Sequence, residues 1–121
     1  MKYTKFILLL ALLVYIPNTT KADDCNYDGT QLEMTSCAAE NHDKVDKILN
    51  KIYQEKMRSL SKSKHDALRK QQRKWLKQTK YDCEAETDEI YSRGGSGWPM
   101  KYWMCITEST KKRIDELNEI K

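Results

Sequence analysis

The chain is poor in the residues that make turns. Its 121 residues include four glycines, two prolines and one phenylalanine. A sandwich or barrel of short strands needs turn signals about every 8–12 residues, so that composition argues against it. No stretch alternates apolar and polar residues, which argues against a half-buried sheet as well. Histidine is scarce. His42 lies in the polar run Glu40-Asn41-His42-Asp43 and His65 lies near a serine-lysine stretch, and both are expected at the surface. Neither stands in a nucleophile motif, and no H-E-x-x-H helix or phosphate loop occurs. Carboxylates are plentiful, but none is set in apolar sequence that would split a pair into acid and base. No enzyme and no cofactor are expected.

The one long apolar run is at the N-terminus, in MKYTKFILLLALLVYIPNTTKA. Lys2 and Lys5 precede eleven apolar residues, Phe6 to Ile16, and Thr20 and Ala22 are small residues placed for cleavage after Ala22. This is the pattern of a secretory signal. The run falls short of the roughly 20 residues that cross a bilayer as a helix. Residues 1–22 therefore read as a signal peptide and 23–121 as one exported domain, periplasmic or secreted, with no stable membrane anchor. Cleavage removes three lysines and no acid, leaving 19 basic against 18 acidic residues, a net charge of +1. Ninety-nine residues bury a marginal core, and exported domains of that size usually carry covalent staples.

Four cysteines, Cys25, Cys37, Cys83 and Cys105, all lie in the mature part. Their spacings of 12, 46 and 22 contain no close pair of the kind that binds zinc. An even count behind a signal peptide reads as two disulfides in an oxidising compartment.

Apolar positions recur at helical spacing. Thr30-Gln31-Leu32-Glu33 is a capping box. Behind it Cys37, Ala38, Val45, Ile48, Leu49, Ile52, Tyr53 and Leu60 mark one face of a helix over about Gln31 to Ser59. Ser61 to Lys64 reads as a break, with Ser63 and Asp66 as a weaker capping signal. A second helix over about residues 64 to 89 turns Leu68, Gln72, Trp75, Leu76, Thr79 and Cys83 inward. Ser92-Arg93-Gly94-Gly95-Ser96-Gly97-Trp98-Pro99 is a flexible loop. A third helix follows with Trp103, Ile106, Thr110, Ile114 and Leu117 inward. The fold class is all-α: an antiparallel helical hairpin plus a C-terminal helix. A turn near residue 62 brings Cys37 and Cys83 to similar heights, so the disulfides gather at the open end. Two pairings suit this geometry. The local set, Cys25–Cys37 with Cys83–Cys105, is preferred, each bridge stabilising by roughly 3 kcal/mol. The crossed set, Cys37–Cys83 with Cys25–Cys105, is also compatible.

Charge is segregated along the chain. Lys56 to Lys80 holds ten basic residues and one acid, Asp66, while the rest of the mature chain sums to −8. Asp82, Glu84, Glu86, Asp88 and Glu89 put five acids into eight residues. Arg69, Lys70, Arg73, Lys74 and Lys77 form an exposed stripe on the second helix. Such a stripe suits phosphates, but Trp75 lies on the other side and has no base to stack on. A near-neutral exported domain is not expected to bind nucleic acid.

The mature sequence also resembles the lysozyme inhibitor LprI-like family of small exported helical domains. The matching pieces are Thr30-Gln31-x-Glu33-Met34 leading to Cys37-Ala38, and Val45-Asp46-x-x-Leu49-Asn50-x-x-Tyr53. Then come Leu68, Gln72-Arg73-x-Trp75-Leu76 leading to Asp82-Cys83, and Gly94-Gly95-Ser96 with Pro99, Cys105, Thr110, Arg113 and Leu117. Thr35-Ser36 stands where an asparagine is common, and Lys80-Tyr81 precedes Asp82-Cys83 where an Arg-Asp pair is usual. The resemblance implies a helical hairpin domain and, as activity, inhibition of a lysozyme or related cell-wall hydrolase.

Two function classes follow. An inhibitor would use the loop Arg93, Gly94, Gly95, Ser96 and Trp98, with Arg93 toward a cleft carboxylate and Trp98 in a sugar subsite. A non-inhibitory envelope module would use Arg69, Lys70, Arg73, Lys74 and Lys77 for an anionic glycan or lipid.

Overall fold

The computed structural model describes residues 25–121; the expected signal peptide, 1–22, lies outside the described residues. Three helices follow in order: α1 (Gln31–Ser59), α2 (Lys62–Ile90) and α3 (Trp98–Glu119), with no strand among the described residues.

Helix α1 starts where the capping box places it. The Glu33 amide donates to the Thr30 hydroxyl at 3.3 Å, and the Thr30 amide donates to the Glu33 carboxylate at 2.8 Å. The Thr30 amide, and then its hydroxyl, hold the Glu33 carboxyl below its ordinary pKa. The break into α2 is shorter than the sequence suggests. Leu60 and Ser61, both extended, reverse the chain, and α2 begins at Lys62. The Ser63–Asp66 cap does not form. Ser61 is the N-cap and makes no side-chain cap bond. The Ser63 hydroxyl meets that of Ser61 at 3.2 Å, and Asp66 pairs with Arg69 at 3.1 Å. Helix α3 takes in Trp98 and Pro99, the last two residues of the expected loop. Proline is tolerated in a first helical turn, where an amide hydrogen has no intrahelical acceptor.

The helices assemble around α3. It runs parallel to α1, with Gln31 reaching Met100, His42 against Trp103, and the Lys56 ammonium on the carbonyls of Asn118 and Ile120. It runs antiparallel to α2, through the Cys83–Cys105 disulfide and an Arg113–Gln72 hydrogen bond of 2.9 Å. Helices α1 and α2 are therefore antiparallel, as expected, but they approach each other less closely than either approaches α3. The disulfides are the local pairs Cys25–Cys37 and Cys83–Cys105.

Leu49, Leu68 and Leu117, one from each helix, form the buried core, surrounded by Ile52, Tyr53, Met57, Leu60, Trp75, Ile114 and Ile120. Elsewhere the interior is unusually polar. Thr79, Thr87, Thr107 and Thr110 are buried on α2 and α3. Three of these hydroxyls donate to the carbonyl one turn back: Thr87 to Cys83, Thr107 to Trp103 and Thr110 to Ile106. Satisfied in this way, they pack as small side chains. Arg113 is buried against Gln72, and its guanidinium reaches the exposed Glu116 at 2.7 Å.

Two residues expected inward are not. Ile48 is 41% and Leu76 53% exposed. Because α2 packs chiefly on α3, only a narrow stripe of it, Leu68, Gln72, Thr79, Cys83 and Thr87, is covered. The histidines depart in the other direction. The His42 side chain is only 17% exposed, its ring 4.9 Å from that of Trp103. His65 is half-buried. Both lie on the inward flank of a helix, which a polar sequence neighbourhood does not reveal.

Leu117→Ala should lower unfolding free energy by about 2–5 kcal/mol, the range for a truncated core leucine. Leu76→Ala should change it by no more than about 0.5 kcal/mol. Urea denaturation followed by circular dichroism measures both.

Candidate functional site

The loop of residues 91–97 joins α2 to α3 at the end of the molecule opposite the α1–α2 turn. Its backbone depends on glycine at two points. Gly94 has φ +91°, a left-handed value that side chains disfavour. At Gly97 a Cβ would stand 2.6 Å from the Tyr91 ring, so only glycine lets the ring close over the start of α3.

Asp88, in the last turns of α2, organises the loop. Its carboxylate accepts from Arg93 Nε at 3.2 Å, from Arg93 Nη2 at 2.6 Å and from the Trp98 indole at 2.7 Å. The guanidinium lies 5.3 Å from the Trp98 ring centroid, within cation–π range. Trp98 stacks on Tyr102 at 5.0 Å and 12°, and Tyr102 meets Trp103 edge-on at 5.6 Å. The Arg93 bonds, then the Trp98 indole, hold the Asp88 carboxyl below its ordinary pKa. Burial, and then the negative charge of Glu84, push the Tyr102 phenol above its usual value.

The acidic run surrounds this assembly. Glu84 lies 3.9 Å from both Lys80 and Arg93, and Glu86 pairs with Lys101 at 2.9 Å. Asp82 and Glu89 are exposed. Acids at a helix C-terminus oppose its macrodipole, and α2 has no base in its last turn. Arg93, folding back from the loop, supplies the missing cation.

Arg93 and Trp98 of the expected loop thus come together, through an internal partner that the residue pattern does not reveal. Arg93 is engaged with Asp88 yet its side chain is 58% exposed. Trp98 is half-buried, and Gly94, Gly95 and Ser96 are exposed. Nothing in the acidic run of the sequence distinguishes Asp88 from its neighbours. Its five-residue separation from Arg93 is not a helical contact spacing, so only the closed loop reveals the pair. On α2, Arg69, Lys70, Arg73, Lys74 and Lys77 are all exposed. Among the described residues no group of His, Cys, Asp and Glu could hold a metal ion, and no helix is long and apolar enough to cross a membrane.

The fold is a small three-helix domain held by two disulfides, with an ordered loop at one end. A family model, described as lysozyme inhibitor LprI, matches residues 22–117. The chain belongs to that family. A protein of Rhizobium meliloti (strain 1021), named only as uncharacterized, is 33% identical over 110 residues, covering 80% of this chain and 78% of its own. No solved structure matches.

The loop should be ordered at neutral pH and loosen in acid. A carboxylate whose folded pKa is depressed contributes its stabilisation above the unfolded pKa and loses it as pH falls through the folded value. For Asp88 that window lies at and below the ordinary aspartate range. The Trp98 indole NMR signal should shift there, and Asp88→Asn should remove the transition.

Proposed function

We propose that this protein is an exported inhibitor of a lysozyme-type cell-wall hydrolase, acting through the loop of residues 91–97 and the acidic end of α2. Membership of the LprI family supports the target class. Two disulfides suit an oxidising compartment outside the cytoplasm. The observation that carries the reading is the order of the loop: Arg93 is clamped on Asp88 and laid over Trp98 before any partner arrives. A loop already held in one conformation avoids ordering cost on binding. Bonds from Nε and Nη2 leave Nη1 of Arg93 available. A guanidinium carries five donors, so the residue can keep Asp88 while donating to a carboxylate in a glycosidase cleft, where such acids act in pairs. The acids of α2 would steer the approach of a basic hydrolase.

Titrating the oxidised protein into lysozymes of several structural types during lysis of cell walls tests this. A break at one equivalent is expected for at least one type, weakening as salt rises. Arg93→Ala should reduce affinity by roughly thirtyfold or more, the scale of an interface hot spot, with helix content unchanged. No inhibition across the panel, or inhibition indifferent to Arg93→Ala, would overturn the loop reading.

A further inference from the structure

The run of positive charge along α2 has little structural use. Its first half is basic and its first turn holds no acid, while its last turns are acidic and hold no base. Both ends oppose the macrodipole. Arg69 with Arg73, Lys70 with Lys74, and Arg73 with Lys77 are like charges four residues apart, an arrangement that destabilises a helix. Among the described residues only Arg69 of the stripe has an ion-pair partner, Asp66. Lys70, Arg73, Lys74 and Lys77 are exposed and make no ion pair with any of them. A sequence that breaks local rules without an internal return marks a functional surface.

Two large apolar side chains share that surface. Leu76 is 53% and Tyr81 70% exposed. At about 100° per residue, Leu76, Arg69, Lys80, Arg73, Lys77, Lys70, Tyr81 and Lys74 follow one another around a sector of roughly 160°. Leu76 stands at one margin and Tyr81 near the other, with cations between them. The sector adjoins the buried stripe of α2 at its Leu76 edge and turns away from it toward Lys74, and all eight of its residues are exposed. We propose that this face of α2 docks the protein on an anionic phospholipid surface. The cations meet the headgroup phosphates, Leu76 enters the acyl boundary and Tyr81 lies at headgroup level, where its amphipathic ring is favoured. A soluble polyanion would satisfy the cations but gives no role to exposed leucine and tyrosine, which is why the lipid is the occupant. The site is separate from the inhibitory loop, since the basic sector ends at Lys80 and the loop begins at Tyr91.

Co-sedimentation of the oxidised protein with vesicles tests the assignment. Vesicles of phosphatidylglycerol and phosphatidylcholine should bind it at low salt and release it at high salt, and phosphatidylcholine alone should not bind. Combined Lys70→Gln, Arg73→Gln, Lys74→Gln and Lys77→Gln should weaken vesicle binding roughly hundredfold or more. Since these changes relieve like-charge repulsion, thermal unfolding should show the fold intact. Leu76→Ser with Tyr81→Ser should weaken vesicle binding roughly tenfold and leave retention on a soluble polyphosphate unchanged. Absence of binding to the anionic vesicles overturns the proposal, as does vesicle binding that survives the four neutralisations. Vesicle binding indifferent to the serine pair, with equal capture by polyphosphate, overturns it in favour of a soluble polyanion. Lysozyme inhibition by the neutralised variant should match that of the parent protein, which separates this site from the loop.

Discussion

The covalent link between Cys83 and Cys105 sets the register on which the rest of the molecule depends. The covered stripe of α2 is mostly polar, with Gln72, Thr79 and Thr87 beside Leu68 and Cys83, and the apolar core is confined to a leucine from each helix and their surroundings. Such an interface buries little apolar surface, and non-directional burial does little to specify how one helix slides along another. The disulfide does specify it. With Cys83 opposite Cys105, Gln72 comes within reach of Arg113 and accepts from its Nε, while Nη1 is held by Glu116 on the same helix. The same register sets the reach of the 91–97 loop and so brings Asp88 within bonding distance of Arg93 and Trp98. One covalent constraint thus positions both the interior polar contact and the ordered loop.

The second organising feature is an exchange of charges at helix ends. Helix α3 ends without a base in its last turn, and Lys56 of α1 supplies one by donating to its terminal carbonyls. Helix α2 ends in acids, and Arg93 supplies the cation from the following loop. Both helices are completed by a residue of another segment, so α2 and α3 are stabilised within the assembly more than as separate helices. Against that pattern the cations along the exposed side of α2 stand out, because Lys70, Arg73, Lys74 and Lys77 make no ion pair among the described residues. The molecule therefore presents two unlike surfaces on one helix. One is an acidic end joined to a preformed loop; the other is a basic flank edged by Leu76 and Tyr81.

Much of the frame was legible in the residues. The capping box placed the start of α1, and apolar spacing marked Ala38, Leu49, Leu68 and Leu117 as inward, all of them buried. The helical period is a local property, and local signals read well from sequence. Leu76 and Ile48 misled because periodicity marks a face but not how much of it a neighbour covers, and α2 is covered along one narrow line. The loop residues Arg93 and Trp98 were recognisable as anchors by type. Their tie to Asp88 was not, since it depends on a chain reversal that no residue spacing encodes. His42 against Trp103 is likewise a contact between segments sixty-one residues apart.

What the sequence by itself determined is the helical class, the helix limits within a few residues, the segregation of charge and the family. Each follows from local patterning, capping chemistry or composition. The tertiary structure alone decided the disulfide pairing, the central place of α3, the burial of Arg113 and the assembly of Asp88, Arg93, Trp98 and Tyr102. Those depend on which surfaces meet. That is set by the covalent register and the shape of a small core acting across the whole chain, and it cannot be read from any one segment.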